Sequence, residues 1–318
     1  MAHSKDSPWT LEFPQDLLPS AERTALLYHL CYLLLGRFLD LQSLIREQAL
    51  ETQRVFRCSE AVIIKCVGTS SNLDSSLFPI LTKVVEKNKH LLALSYMGKV
   101  RTWIDDIIKP VDSMVKRYEQ HIQSVEKCAV DVIQIQKKLE EPFEPLKKIK
   151  SLEEEIAQLE ERMRAENVSW MNKNHLTELQ KQLGRYRMKH GLIVYLEEVQ
   201  KCLSRIKQIL FQLQKFWERV GSLLDTLKDR TLVGDNLTED LDDMKEEFLT
   251  STEAAREYWK TFGVSCRRAQ GVFSVQSENA YKFLDINRSS LSEDEQMEQY
   301  KSVMEKLKQI SPQYSSTE

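Results

Sequence analysis

Apolar residues recur at spacings of three and four along most of this chain, the pattern of helices that bury one face. The clearest run is Leu196, Val199, Leu203, Ile206, Leu210, Leu213, Trp217, Val220, Leu224 and Leu227, where the two spacings alternate without a fault. Such a run marks the a and d positions of a heptad seam. Leu192, Ile193, Ile209, Phe211, Phe216 and Leu223 widen the stripe beyond what a two-stranded coiled coil requires. A helix with so wide a stripe needs several partners, so these ten seam residues are candidates for a shared core or an interface.

The same period predicts the other elements. Ser20 is a candidate N-cap, and Ala21 to Val67 holds no Pro and a single Gly before Gly68, enough for a helix of roughly 70 Å unless it breaks near Gly36. Gly68 to Ser76 reads as a polar turn. Ile107, Val111, Met114, Tyr118, Ile122, Val125, Ala129, Val132 and Leu139 predict a second long helix from about Leu77 to Leu139, kinked or divided at Pro110. Pro142 and Pro145 punctuate the chain. Leu152, Ile156, Leu159 and Met163 then stand among Glu, Lys and Arg, predicting a charged coiled-coil segment around 146–190. Its two halves, about 146–166 and 175–190 with Asn174 as a cap, form either one bent helix or an antiparallel hairpin.

Gly234 and Asn236 are placed to end one helix and cap the next, which runs from Leu237 to about Leu284. Ser292 and Glu295 have capping-box spacing for a last helix ending near Ile310. The expected fold is all-α: an elongated bundle of long antiparallel amphipathic helices with coiled-coil character. Residues 1–19, with Pro8, Pro14 and Pro19, read as an irregular lead. Residues 20–310 read as one elongated domain, and 311–318 as a flexible tail.

Composition sharpens this picture. Only 9 Gly and 8 Pro occur in 318 residues, and Leu146 to Ser311 has no Pro, which favours uninterrupted helix. A formal charge of -3 provides no global field for nucleic acid, which is disfavoured as a partner. The best local basic patch is Lys181, Arg185, Arg187, Lys189, Lys201, Arg205 and Lys207 beside His190. It could meet anionic lipid, nucleic acid or the acidic segment at 239–247, and the internal pairing is the simplest of the three. The 6 cysteines are scattered and Met1 to Asp16 lacks an apolar signal, so reduced thiols and a cytoplasmic location are expected, at a membrane surface if the chain acts there.

Motifs for chemistry are missing. The six histidines include no metal-ligand pair within one helix, and Cys58 with Cys66 or His121 with Cys128 supply only two ligands each. No Gly-rich phosphate loop or Gly-x-Ser-x-Gly elbow occurs. The sequence therefore implies no catalytic residue, cofactor, metal or small-molecule substrate.

Its most apolar stretch is Ala25 to Leu35, extended by Phe38, Leu39, Leu41, Leu44 and Ile45. Arg37 and Asp40 interrupt it before the roughly 20 apolar residues of a bilayer span are reached. Leu27, Leu30, Leu34, Phe38 and Leu41 are thus candidates for a central core helix or a membrane-active one. The leading expectation is a non-enzymatic scaffold or protein-interaction module that binds protein partners or itself. The alternative is a membrane-acting helical protein, by peripheral lipid binding or α-helical pore formation through residues 25–45.

Overall fold

The computed structural model describes residues 13–35, 39–87, 89–139, 145–165, 170–233, 241–286 and 291–310, and among these there is no strand. The protein is an all-α, elongated bundle of long helices. In chain order they are α1 (Phe13–Leu34), α2 (Leu39–Asn72), α3 (Phe78–Glu86), α4 (His90–Leu139), α5 (Pro145–Ala165), α6 (Trp170–Val233), α7 (Leu241–Glu278) and α8 (Glu293–Gln309).

The boundaries depart from local expectation at several points. α1 starts at Phe13, ahead of the expected Ser20 cap, and carries Pro19 inside it; Leu17 is fully buried, so packing holds a turn that proline disfavours. The long Ala21–Val67 segment is two helices, α1 and α2, separated near Gly36. Gly68 to Ser76 is not a turn: α2 runs to Asn72 and passes through a π-helical turn, Leu73–Leu77, into α3. Ser70 and Ser75 donate to the carbonyls of Cys66 and Ser71, so these hydroxyls bond back along the helix instead of ending it. The break falls later, between α3 and α4, while α4 continues through Pro110.

The charged segment is a hairpin of α5 against the first part of α6, and Asn174 lies inside α6 rather than capping it. Its apolar cluster of Leu152, Leu159, Leu179 and Leu183 is separate from the main core. The Ser292–Glu295 capping box at α8 is formed, side chain to backbone in both directions. The Gly234 and Asn236 caps, residues 1–12 of the lead, the Pro142 break and the 311–318 tail lie outside the described residues.

The main core lies where α6, α4, α2 and α7 follow one another around the bundle, each packed on the next up to α7. α4 and α6 run antiparallel, as Arg101 to Asp225 at one end and Lys207 to Glu119 further along show. α1 packs on both α6 and α7, and Arg23 to Glu198 together with Cys31 Sγ near the Leu192 carbonyl shows it running antiparallel to α6. Beyond the reach of α1, α6 and α7 meet directly. Phe216 stacks on Phe262 at 4.6 Å between centroids, and Trp217 lies 5.2 Å from Trp259.

Candidate functional site

Two places merit description as sites: the enclosed helix α1, and a polar cleft between α2 and α4.

From Thr24 to Leu35 every side chain is buried except Leu26 and His29, which are half-buried. A stretch this apolar has no polar face to offer to water, so it is stable only when surrounded. α6, α7, α8 and α2 surround it. Leu27, Leu30 and Leu34 lie in the main core, as does Leu41 on α2; Phe38 lies outside the described residues. Gly191 on α6 permits close approach at the end of α1: a Cβ there would sit 3.4 Å from Leu34 Cδ1 and 3.1 Å from the Tyr195 ring.

α8 covers one side of α1 with Tyr300, Val303 and Leu307. Polar clamps hold it and the segment before it. Arg23 on α1 donates to the carbonyls of Leu307 and Ile310, and the Tyr195 and Tyr300 hydroxyls lie 2.6 Å apart. Tyr32 donates to the Ile286 carbonyl, and Arg46 on α2 to that of Leu284. His29 stacks on Phe283 at 4.6 Å between centroids. Burial, with Lys306 nearby, holds its imidazole down to about 4, so the ring is neutral.

The polar cleft, about 450 Å³, is lined by Glu51, Ser113, Lys116, Arg117, Gln120, His121 and Ser124. Arg117 donates to Glu51 at 2.8 Å and to the Cys58 sulfur at 2.8 Å. Burial raises the Glu51 carboxyl, but hydrogen bonds from Arg117 and Arg54 outweigh it and leave the group below its ordinary value. At the floor, His121 Nε2 lies 2.6 Å from the Thr52 hydroxyl, which is also 3.1 Å from Tyr28 Oη. A hydroxyl beside an imidazole can be a nucleophile with its base, but Thr52 is completely buried. The pair therefore ties α2 to α4. Among the described residues, no three His, Cys, Asp or Glu side chains are grouped as metal ligands. The partial pairs come no closer to a site: Cys66 and Cys128 are buried thiols that burial pushes up to about 12.

The heptad stripe is placed as follows. Leu196, Val199, Leu203, Ile206, Leu210, Leu213 and Trp217 are fully buried, and Val220 is partly buried against the same core. The side chains of Leu224 and Leu227 lie outside the described residues. Of the basic patch, Lys201 pairs with Glu198 at 2.7 Å, Lys207 with Glu119 at 3.3 Å, and Arg205 lies 3.5 Å from Gln208 Oε1. Lys181, Arg185, Arg187 and Lys189 have side chains outside the described residues. Apart from Glu246, the acidic side chains of 239–247 lie outside the described residues, and so does the internal pairing expected with them. Sequence reading missed the Thr52–His121 pair and the clamps on α8. Their partners lie far apart along the chain, and no local pattern links them.

No protein-family model and no curated protein matches the chain. Two solved structures align with it. One is soluble SmhA of the tripartite alpha-pore forming toxin Smh from Serratia marcescens, at a TM-score of 0.45 and 10% identity, covering 85% of this chain and 96% of that one. The other is the soluble AhlC triple head mutant of the tripartite alpha-pore forming toxin AHL from Aeromonas hydrophila, at a TM-score of 0.30 and 13% identity, covering 78% and 98%.

The expected cytoplasmic location is withdrawn as a correction; the two aligned structures are soluble components of tripartite alpha-pore forming toxins, which is said of those proteins alone. The cysteines that suggested it are also accounted for differently. Cys31, Cys66, Cys128, Cys202 and Cys266 are buried, and Cys58 is partly so. Burial raises the first five thiols and shields them, so their free state points to no compartment.

Proposed function

We propose that this chain is a non-enzymatic helical protein that acts at membranes, with α1 as an apolar element that the folded bundle conceals. Enclosure of Thr24 to Leu35 by four helices carries this reading. The likeness to toxin components, distant in both sequence and shape, carries none of it. α8 is the part of the enclosure most readily removed. It is a 17-residue helix that buries three apolar side chains, whereas α2, α6 and α7 are each held by long packed faces.

No described helix is long and apolar enough to cross a membrane. The action proposed is therefore insertion of α1 into the interfacial layer, not a span by one helix. Leu17, Leu27, Leu30, Leu33 and Leu35 are nearly fully buried, and each contributes roughly 1.5 to 3 kcal/mol to the soluble fold. Lipid returns that burial when α1 leaves the bundle, which keeps the exchange thermodynamically accessible.

The test is hydrogen exchange of the full chain, alone and with phosphatidylcholine–phosphatidylserine vesicles, alongside release of an encapsulated dye. α1 peptides should be protected in solution. With vesicles, α8 peptides should lose protection and dye should escape. Unchanged α8 exchange and fully retained dye would refute the reading.

A second reading has an observation of its own. The α5–α6 hairpin has a separate apolar cluster and packs through α6 alone, an arm suited to a protein partner or a second copy. Light scattering of the full chain, with and without residues 145–190 disrupted, tests self-association through it.

A further inference from the structure

The first turns of α4 expose apolar surface that the fold leaves uncovered. Leu91 is 85% exposed, Leu92 42% and Trp103 36%, and these stand within 12 residues of one another. Leu92, Tyr96, Lys99 and Trp103 follow the four–three–four spacing that puts them on one face of the helix, about 16 Å long. Lys99 Nζ lies 5.4 Å from the centre of the Tyr96 ring. Other exposed apolar side chains, such as Ile64, Val130 and Val275, belong to separate stretches of the chain. A folded protein exposes single leucines freely, but an adjacent leucine pair leading into a Tyr–Lys–Trp stripe is a patch.

Charge gives that patch a direction. Lys83 and Lys87 at the end of α3, Lys89 in the connection and Lys99 on α4 are all exposed. Between Lys83 and Trp103 the one acidic residue is Glu86. Arg101 is engaged by Asp105 and Asp225, so its charge is neutralised locally. The remaining lysines, Lys83, Lys87, Lys89 and Lys99, flank the leucines along the chain.

Leucines that enter an acyl boundary, tyrosine and tryptophan at headgroup level, and lysines meeting anionic headgroups are the three components of interfacial attachment. A protein partner would need a matching concave apolar face. A bilayer needs none.

We propose that the α3–α4 turn, with Leu91, Leu92 and Trp103 as its apolar contacts and Lys83, Lys87, Lys89 and Lys99 as its charges, is the surface by which this protein docks on bilayers containing anionic phospholipid. It deepens the membrane reading of the preceding section by naming the point of first contact. It is nonetheless separable from that reading, since docking does not require α1 to move. The turn sits at the α4 end where Arg101 meets Asp225 of α6, away from the α5–α6 hairpin.

The experiment is vesicle flotation of the full chain with phosphatidylcholine alone and with phosphatidylcholine plus phosphatidylserine. It is repeated for Leu91→Ser with Leu92→Ser, for Lys87→Glu with Lys89→Glu, and for Lys127→Glu, an exposed basic position far along α4 from the turn. All four residues of the two double variants are exposed or in the connection, and circular dichroism checks that each variant stays folded. The wild-type chain should float with the phosphatidylserine vesicles and much less with phosphatidylcholine alone. Lys87→Glu with Lys89→Glu should lose roughly tenfold or more of that partition, at about 1 kcal/mol per lysine near the surface. Leu91→Ser with Leu92→Ser should lose a comparable factor through the missing apolar insertion, while Lys127→Glu should bind nearly as the wild type does.

Equal flotation of all variants overturns the proposal, as does a wild-type chain that stays with the unbound fraction. A wild-type dimer in light scattering that Leu91→Ser with Leu92→Ser converts to monomer also overturns it, by assigning the patch to a second copy. Flotation without α8 exposure or dye release would sink the α1 reading and leave docking standing. Dye release that survives both double variants would do the reverse.

Discussion

His121 Nε2 lies 2.6 Å from the Thr52 hydroxyl, inside the seam where α4 meets α2. Burial holds the His121 imidazole down to about 4, with Arg117 adding to the effect and Glu51 opposing it. In the unfolded chain the same ring titrates near its ordinary 6.5. Between those values the unfolded chain binds a proton that the folded protein does not, so stability is complete above about 6.5 and falls as the pH drops toward 4. The loss reaches the order of 3 kcal/mol for this residue, and His29 acts in the same direction. Urea midpoints taken at intervals from neutral to about pH 5 should fall steadily for the wild-type chain and less steeply for His121→Gln. Parallel slopes would show that His121 does not titrate with unfolding.

Trp217 is fully buried and lies within 5.5 Å, between ring centroids, of Phe216, Trp259 and Phe262. It closes α6 on α7 where α1 no longer separates them. Trp217→Ala should destabilise the protein by about 3 to 5 kcal/mol, because the cavity left between two long helices cannot collapse fully. Chemical denaturation monitored by helical signal measures this. A loss below about 1 kcal/mol would mean that the aromatic cluster rearranges to fill the space.

The hairpin should respond independently of the body. Leu159 and Leu183 belong to a cluster that shares no residue with the main core. Leu159→Asp with Leu183→Asp should separate α5 from α6 and speed proteolytic cleavage within 145–190. The main unfolding transition should shift by no more than a few degrees, since sites without shared partners act additively. A large shift of that transition would show the arm to be part of the cooperative core.

Thiol reactivity offers a separate check on the packing. Cys58 is partly exposed beside the Arg117 guanidinium, while the other five cysteines are buried. A maleimide reagent added to the native protein should modify Cys58 first, and mass spectrometry of the digest should find Cys31, Cys66 and Cys266 labelled only after denaturant is added. Early labelling of Cys31 would reveal that α1 is already accessible in solution.

Local spacing was enough to specify the helices, the Leu196–Trp217 stripe, the apolar character of Ala25–Leu35 and the Ser292–Glu295 cap. Each depends on residues within a turn or two of one another, and helical periodicity converts that spacing directly into a buried face or a capped end. The Gly68–Ser76 stretch misled because serines and a glycine are also compatible with helix once α7 packs alongside it. Pro19 misled in the same way, with the burial of Leu17 outweighing the lost hydrogen bond. Long-range packing settled the rest: the fold-back between α1 and α2, the wedging of α1 between α6 and α7, the Thr52–His121 pair and the clamps on α8. A heptad seam accepts any apolar face of matching shape, so it leaves the choice of partner open. That choice is made when residues far apart in the chain, such as Arg23 and Ile310, satisfy one another's buried polar groups.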